Sequence, residues 1–223
     1  MALRGSGLMG IAFDSAVDGS YTTGTSLTWA HTCSGSNGLL IVGTFDTTAG
    51  ASLVTGVTYA SVSMMLAYSF QVTGGRWLNL WYLLGPTTGA NNVVISASSS
   101  TIVGGCSESY NGVAQSGQPD AAAVSAENIA SVTPIITTVA HNAWVVIWAQ
   151  AVAAPATAST NVTARENDAT TFGLIGDSNG LPASPGSIGL TVTTTANFIG
   201  GIVMSFAPAL PPTASGTFFL LLT

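Results

Sequence analysis

Two histidines, two cysteines and nine carboxylates are what this chain has for acid–base or nucleophilic chemistry, and their spacing favours little of it. His31 and Cys33 lie two apart in SLTWAHTC (26–33). On an extended strand they share a face without aiming at each other, which makes a poor nucleophile–base pair. With Trp29 on that same face, His31 reads as a hydrogen-bonded core histidine, and His141 reads as a turn residue. Cys33 and Cys106 are either free buried thiols or one bridge. No G-x-S-x-G elbow, H-E-x-x-H pair or lysine-bearing phosphate loop occurs. A glycosidase needs two carboxylates across a cleft, and the scattered acids suggest no such pair. No enzymatic activity is expected.

Metal binding has two weak candidates. RENDA (165–169) places Arg165, Glu166 and Asp168 together, and DSAVDG (14–19) supplies Asp14 and Asp18. Calcium takes six to eight oxygen ligands, so Glu166 and Asp168 could contribute to such a site. A solvated turn with a local Arg–Glu pair is the plainer reading, and no cofactor is expected.

Composition removes other classes. Of 223 residues only three are cationic, none of them lysine, and the net charge is −6. Three cations cannot neutralise a run of phosphates, so nucleic-acid binding by counterion release is excluded. Charged residues are 5% of the chain and apolar ones 47%. That apolar fraction argues against disorder, and no run of 18 apolar residues offers a membrane-spanning helix. The first twenty residues carry no signal-peptide pattern. Polarity rests instead on Gly, Ser and Thr.

The elements that would position these residues are strands. Short runs of Val, Ile, Thr and aromatics recur between Gly, Ser, Asn and Pro clusters, which predicts an all-β fold. SLTWAHTC alternates, with Leu27, Trp29, His31 and Cys33 opposite Thr28, Ala30 and Thr32; SIGLTVTTTA (187–196) alternates likewise. The alanine-rich DAAAVSAENIA (120–130) is the most helix-like stretch and predicts a turn or two of helix. Three strands are apolar on both faces: RWLNLWYLLG (76–85), NAWVVIWAQ (142–150) and NFIGGIVMSF (197–206). Such strands are buried on both faces, whereas a two-sheet sandwich covers only the inner one. The charge deficit suggests a neighbouring subunit as the cover, with Trp77, Trp81, Trp144 and Trp148 as interface candidates. These tryptophans could alternatively form a sugar-stacking platform.

Both ends read as arms: residues 1–20 as an arm or first strand, and 209–223 as a Pro-rich arm after a single domain over 21–208. The last arm ends in TFFLLLT, where Phe218, Phe219, Leu220, Leu221 and Leu222 would be an aggregation hazard if exposed. They are therefore expected to pair with the chain's own sheet or with a neighbour.

The order of motifs over 26–120 is informative in another way. Val57 and Tyr59 sit in VTGVTYASVSM, with Ser61 where a glycine is usual; Trp81, Tyr82, Leu83, Pro86 and Gly89 sit in a strand and turn; Tyr110, Gly112, Val113 and Gln115 sit in a loop. This order resembles a β-sandwich module of phage structural proteins and bacterial surface proteins, and residues 140–206 match it by strand character alone. The resemblance implies an antiparallel, jelly-roll-like two-sheet β-sandwich and no catalytic residues. The all-β pattern, the apolar termini, the few charges and the double-faced strands together favour a virion structural protein, a capsid decoration or other accessory shell or tail component, and a cyclic homo-oligomer such as a trimer would bury the outer-face aromatics. The alternative is a secreted or cell-surface module, either a sugar-binding adhesin or a strand-exchanged filament subunit. No nucleic acid or membrane partner is expected.

Overall fold

A computed structural model describes residues 10–168, 170–195 and 198–210. Every regular element among them is a β-strand. The first seven are β1 (Ala12–Cys33), β2 (Leu39–Thr47), β3 (Val54–Tyr59), β4 (Val62–Ser63), β5 (Met65–Val72), β6 (Arg76–Leu84) and β7 (Gly89–Asn111). The remaining ones are β8 (Ala121–Asn128), β9 (Ser131–Val132), β10 (Ile135–Thr138), β11 (Trp144–Ala151), β12 (Ala156–Ala158), β13 (Thr163–Asp168), β14 (Gly173–Asp177), β15 (Gly186–Gly189), β16 (Val192–Thr194) and β17 (Ile199–Phe206).

The first seven strands form one antiparallel sheet in the order β4-β3-β7-β2-β6-β5, with β1 along the other side of β7. Its frame is the long ribbon of β1 and β7, paired from Ala12↔Asn111 to Cys33↔Gly89. The register jumps from Gly24↔Thr101 to Ser26↔Ser96. Bulges of this kind bend a strand and increase its twist. Beyond the jump β7 exchanges one neighbour for another, β2 for β3. Only Met64 separates β4 from β5, the two ends of the strand order, so the sheet is nearly closed.

A five-stranded antiparallel sheet follows the order β13-β14-β11-β17-β8, and two small sheets, β12-β16-β9 and β10-β15, cover its far side. Three apolar cores result. Inside the bent first sheet lie Trp29, Val42, Tyr59, Trp81 and Ile95. A central core, formed by Ile41, Phe45, Leu80, Trp148 and Phe206, joins the first sheet to the five-stranded one. The third packs Val145, Ile147 and Val203 under Ile136, Leu190 and Val192.

This stacking explains the strands that are apolar on both faces. β2, β6, β11 and β17 each lie between two cores, both supplied by this chain. A neighbour is not required to cover them, which corrects the expectation drawn from the two-sheet scheme. The helix expected over 120–130 is also corrected. Ala121–Asn128 is strand β8, because its backbone pairs with β17 from Ser205↔Ala121 to Ile199↔Asn128, and tertiary pairing overrides alanine's helix preference. The SIGLTVTTTA alternation holds, with Ile188, Leu190 and Val192 buried. Residues 12–20 of the expected first arm lie in β1. Phe218, Phe219, Leu220, Leu221 and Leu222 lie outside the described residues.

Candidate functional site

β1 and β7 carry a polar relay between their apolar residues. On β1, Trp29 and His31 point into the first core; on β7, Ser107 and Ser109 point toward them, while Cys106 and Tyr110 on the alternate face enter the central core. Trp29 Nε1 donates to Ser107 Oγ at 2.9 Å. His31 Nδ1 lies 2.9 Å from Ser107 Oγ, and Nε2 lies 3.0 Å from Ser109 Oγ. Ser109 Oγ donates to Asp14 Oδ2 at 2.9 Å, and Asp14 also accepts from the backbone and hydroxyl of Ser34. Since Ser109 spends its proton on Asp14, Nε2–H of His31 donates to Ser109, and Nδ1 accepts from Ser107. One neutral imidazole thus satisfies both serines.

Burial holds the His31 imidazole down to about 4, with the Asp14 charge opposing only in part. For Asp14 burial acts upward, but the bonds from Ser34 and Ser109 outweigh it and keep the carboxyl below its ordinary range. Burial raises the Cys33 thiol. The relay therefore supplies neither a base poised near neutrality nor a primed nucleophile. It opens at Asp14 and Ser109 onto a polar cleft of about 160 Å³, bordered by Ser36, Asn37, Thr88 and Gln115.

His31 makes acid stability testable. Free imidazole protonates near 6.5, so between that value and about 4 the unfolded chain binds more protons than the folded one. The stability His31 contributes falls as pH drops through this window and levels off below it, with a total loss of about 3 kcal/mol from this group. Urea unfolding of wild type and His31→Gln from pH 4 to 7.5 checks this. The stability difference between wild type and His31→Gln should shift by about 3 kcal/mol across this window whatever the other titrating groups contribute, and a constant difference overturns the assignment.

A second polar cluster lies in the central core. Tyr110 Oη donates to Asp177 Oδ2 at 2.7 Å, and Arg165 grips the same carboxylate through Nε at 2.6 Å and Nη2 at 3.1 Å. The Arg165 guanidinium lies 4.3 Å from the Phe13 ring centre, and Trp144 stands edge-on to Tyr110 at 5.5 Å. Tyr110 has one hydroxyl proton, spent on Asp177, so neither oxygen of the wholly buried Glu108 accepts a hydrogen bond, while the Tyr110 oxygen beside it is left as an acceptor for a protonated Glu108 carboxyl. Burial, reinforced by Asp177, pushes the Glu108 carboxyl well above the ordinary carboxylate range.

The four tryptophans do not form a platform. Trp148 and Trp81 are 0% and 5% exposed, in different cores, so neither is available to a sugar or a neighbouring subunit. Trp77 and Trp144 are half-buried, and the Trp77 indole is tied to Gly50 O at 2.6 Å. Glu166 and Asp168 each accept a nearby backbone N–H. Among the described residues no three His, Cys, Asp or Glu side chains gather where they could hold a metal. Cys33 and Cys106 are free, buried thiols in different cores.

Beyond β17 the chain pairs once more, through an antiparallel bridge between Val113 and Pro208. Beside it lies an apolar groove of about 540 Å³ lined by Ala114, Gln118, Ala140, His141, Pro208 and Leu210. Sequence reasoning saw His141 as a turn residue and missed this groove, whose walls come from segments far apart in the chain. Glu108 was also missed; its only signal is the alternation in CSESY (106–110), which puts a carboxyl on the face of Cys106 and Tyr110. No protein-family model, no curated protein and no solved structure matches the chain.

Proposed function

We propose that the protein is a non-enzymatic structural subunit of a phage virion, a capsid decoration or other accessory shell or tail component that acts through contacts with its own copies and with a larger assembly. The observation that carries this reading is the apolar side chains left on its outermost segments. Ile129, Ile135, Val139 and Leu210 are 61–83% exposed, while four of the nine acids, Asp46, Glu108, Asp168 and Asp177, are buried. Surface charge, which keeps monomers apart, is spent inside, and apolar groups that gain from burial at about 25 cal/mol per Å² are left outside. The seven- and five-stranded sheets facing each other across the central core support a jelly-roll-like β-sandwich as the scaffold. The motif order over 26–120 supports the virion setting, and a cyclic homo-oligomer such as a trimer would close such contacts.

Light scattering on the eluting full chain tests the reading. Oligomers, or binding to a preformed shell or tail, are expected; a monomer of 22.3 kDa that binds neither overturns it.

The polar cleft beside Asp14 favours a second reading, a secreted or cell-surface sugar-binding module. Ser34, Ser36, Asn37, Thr88 and Gln115 offer hydroxyl and amide groups for a small polyol. A glycan array separates the two: specific binding lost in Asn37→Ala supports the sugar module, and a blank array rejects it.

A further inference from the structure

We propose that the apolar groove beside Leu210 receives Phe218–Leu222 of a second copy of this chain. The proposal rests on the reading of the protein as an assembling subunit and names the contact.

The floor of the groove is hydrogen-bonded backbone. Ala114 N donates to Ala207 O at 3.0 Å, and Ala209 N donates to Gly112 O at 2.7 Å, on either side of the Val113–Pro208 bridge. The Gln118 side chain accepts from Ala207 N at 2.9 Å. These bonds satisfy the backbone, so the groove offers an occupant mainly aliphatic surface. No Asp, Glu, Lys or Arg lines it. A charged peptide would lose hydration there without gaining a partner, whereas an uncharged apolar segment would not. Its volume of about 540 Å³ is that of a pocket able to hold several side chains.

Phe218, Phe219, Leu220, Leu221 and Leu222 are uncharged and consecutive, and burying each large apolar side chain is worth about 1.5–3 kcal/mol. The chain itself arrives at the groove, since Leu210 is part of its wall and is 83% exposed. Pro211–Thr217 separate Leu210 from Phe218, a span of up to roughly 29 Å when extended. Pro211 and Pro212 favour extended backbone. That preference works against the chain turning back onto a groove whose wall includes its own Leu210, and a neighbour's groove asks for no such turn. Reciprocal or cyclic exchange then closes the assembly.

The test mixes two full-length variants with different mass tags, one Ala140→Cys and one Leu220→Cys, under mild oxidation. Native Cys33 and Cys106 are buried and free, which leaves the new thiols as the accessible pair. The expected product is a disulfide joining the two differently tagged chains. A double variant on one chain that closes into an oxidised monomer would overturn the proposal in favour of the chain's own segment. Oligomers without any mixed disulfide would sink the groove contact and leave the assembly reading intact, whereas monomers throughout would sink both. As a second readout, Ala140→Arg and Leu220→Asp should each weaken self-association at least tenfold, and mixing the two variants should restore much of it. Unchanged association in both variants would also overturn the contact.

Discussion

Trp148→Ala is expected to remove about 3–5 kcal/mol of unfolding free energy in denaturant titrations. The indole is wholly buried in the central core that joins the two sheets. Its ring lies against two glycines: a Cβ built on Gly43 of β2 would collide with it, and one on Gly173 of β14 would come within 2.6 Å of Cη2. Nε1 donates to Thr44 O at 3.2 Å, which ties β11 to β2 across the central core. Truncation therefore leaves a cavity and removes a buried hydrogen bond together. The same geometry makes Gly43→Ala costly in wild type, because the methyl and the ring claim one space. In the Trp148→Ala background the methyl should enter the vacated volume, so its cost should fall by 1 kcal/mol or more, beyond the few tenths expected of independent sites. Additive losses would show that the ring and Gly43 do not compete for that space.

That pairing of a tryptophan with two glycines shows where sequence reading stops. The double-faced apolarity of 76–85, 142–150 and 197–206 was legible, because periodicity is local, and it correctly implied burial on both faces. What covers those faces was not legible. The cover over Trp81 comes from β1, β3 and the first half of β7, and whether a β7 residue meets β2 or β3 depends on a register jump at residues 96–101. β1 carries the signature of a strand only in its last eight residues, since its earlier half is rich in Ser, Thr, Gly and Asp. It is a strand because β7 pairs with it along its length. For the same reason the Ala-rich 121–128 became a strand beside β17. At the polar relay, the burial of His31 was legible from the alternation around it. Its partners Ser107 and Ser109 were not, because they lie 76 and 78 residues away.

Arg165→Met should cost about 3–5 kcal/mol, the penalty for leaving a buried charge without its counter-ion. Asp177 is wholly buried and would keep only the hydroxyl of Tyr110 and the backbone of Asn179. Arg165→Lys should recover part of the loss, since it keeps the charge but not the two-point grip or the stacking on Phe13. Glu108, on β7 close by, should behave oppositely. Its buried carboxyl accepts no hydrogen bond and has at most the Tyr110 oxygen to donate to, so Glu108→Met should raise stability by about 1 kcal/mol. The pH dependence separates the two groups. With its folded-state pKa raised, Glu108 keeps its proton where the unfolded chain ionises, so the folded chain binds more protons above about pH 4.5. Stability from this group therefore declines as pH rises from there toward the folded value, and Glu108→Gln should remove that decline. Arg165 lowers the Glu108 value and Asp177 raises it, so Arg165→Met should carry the decline to higher pH. If Glu108→Gln still loses stability over the same range, the titrating group lies elsewhere in the core.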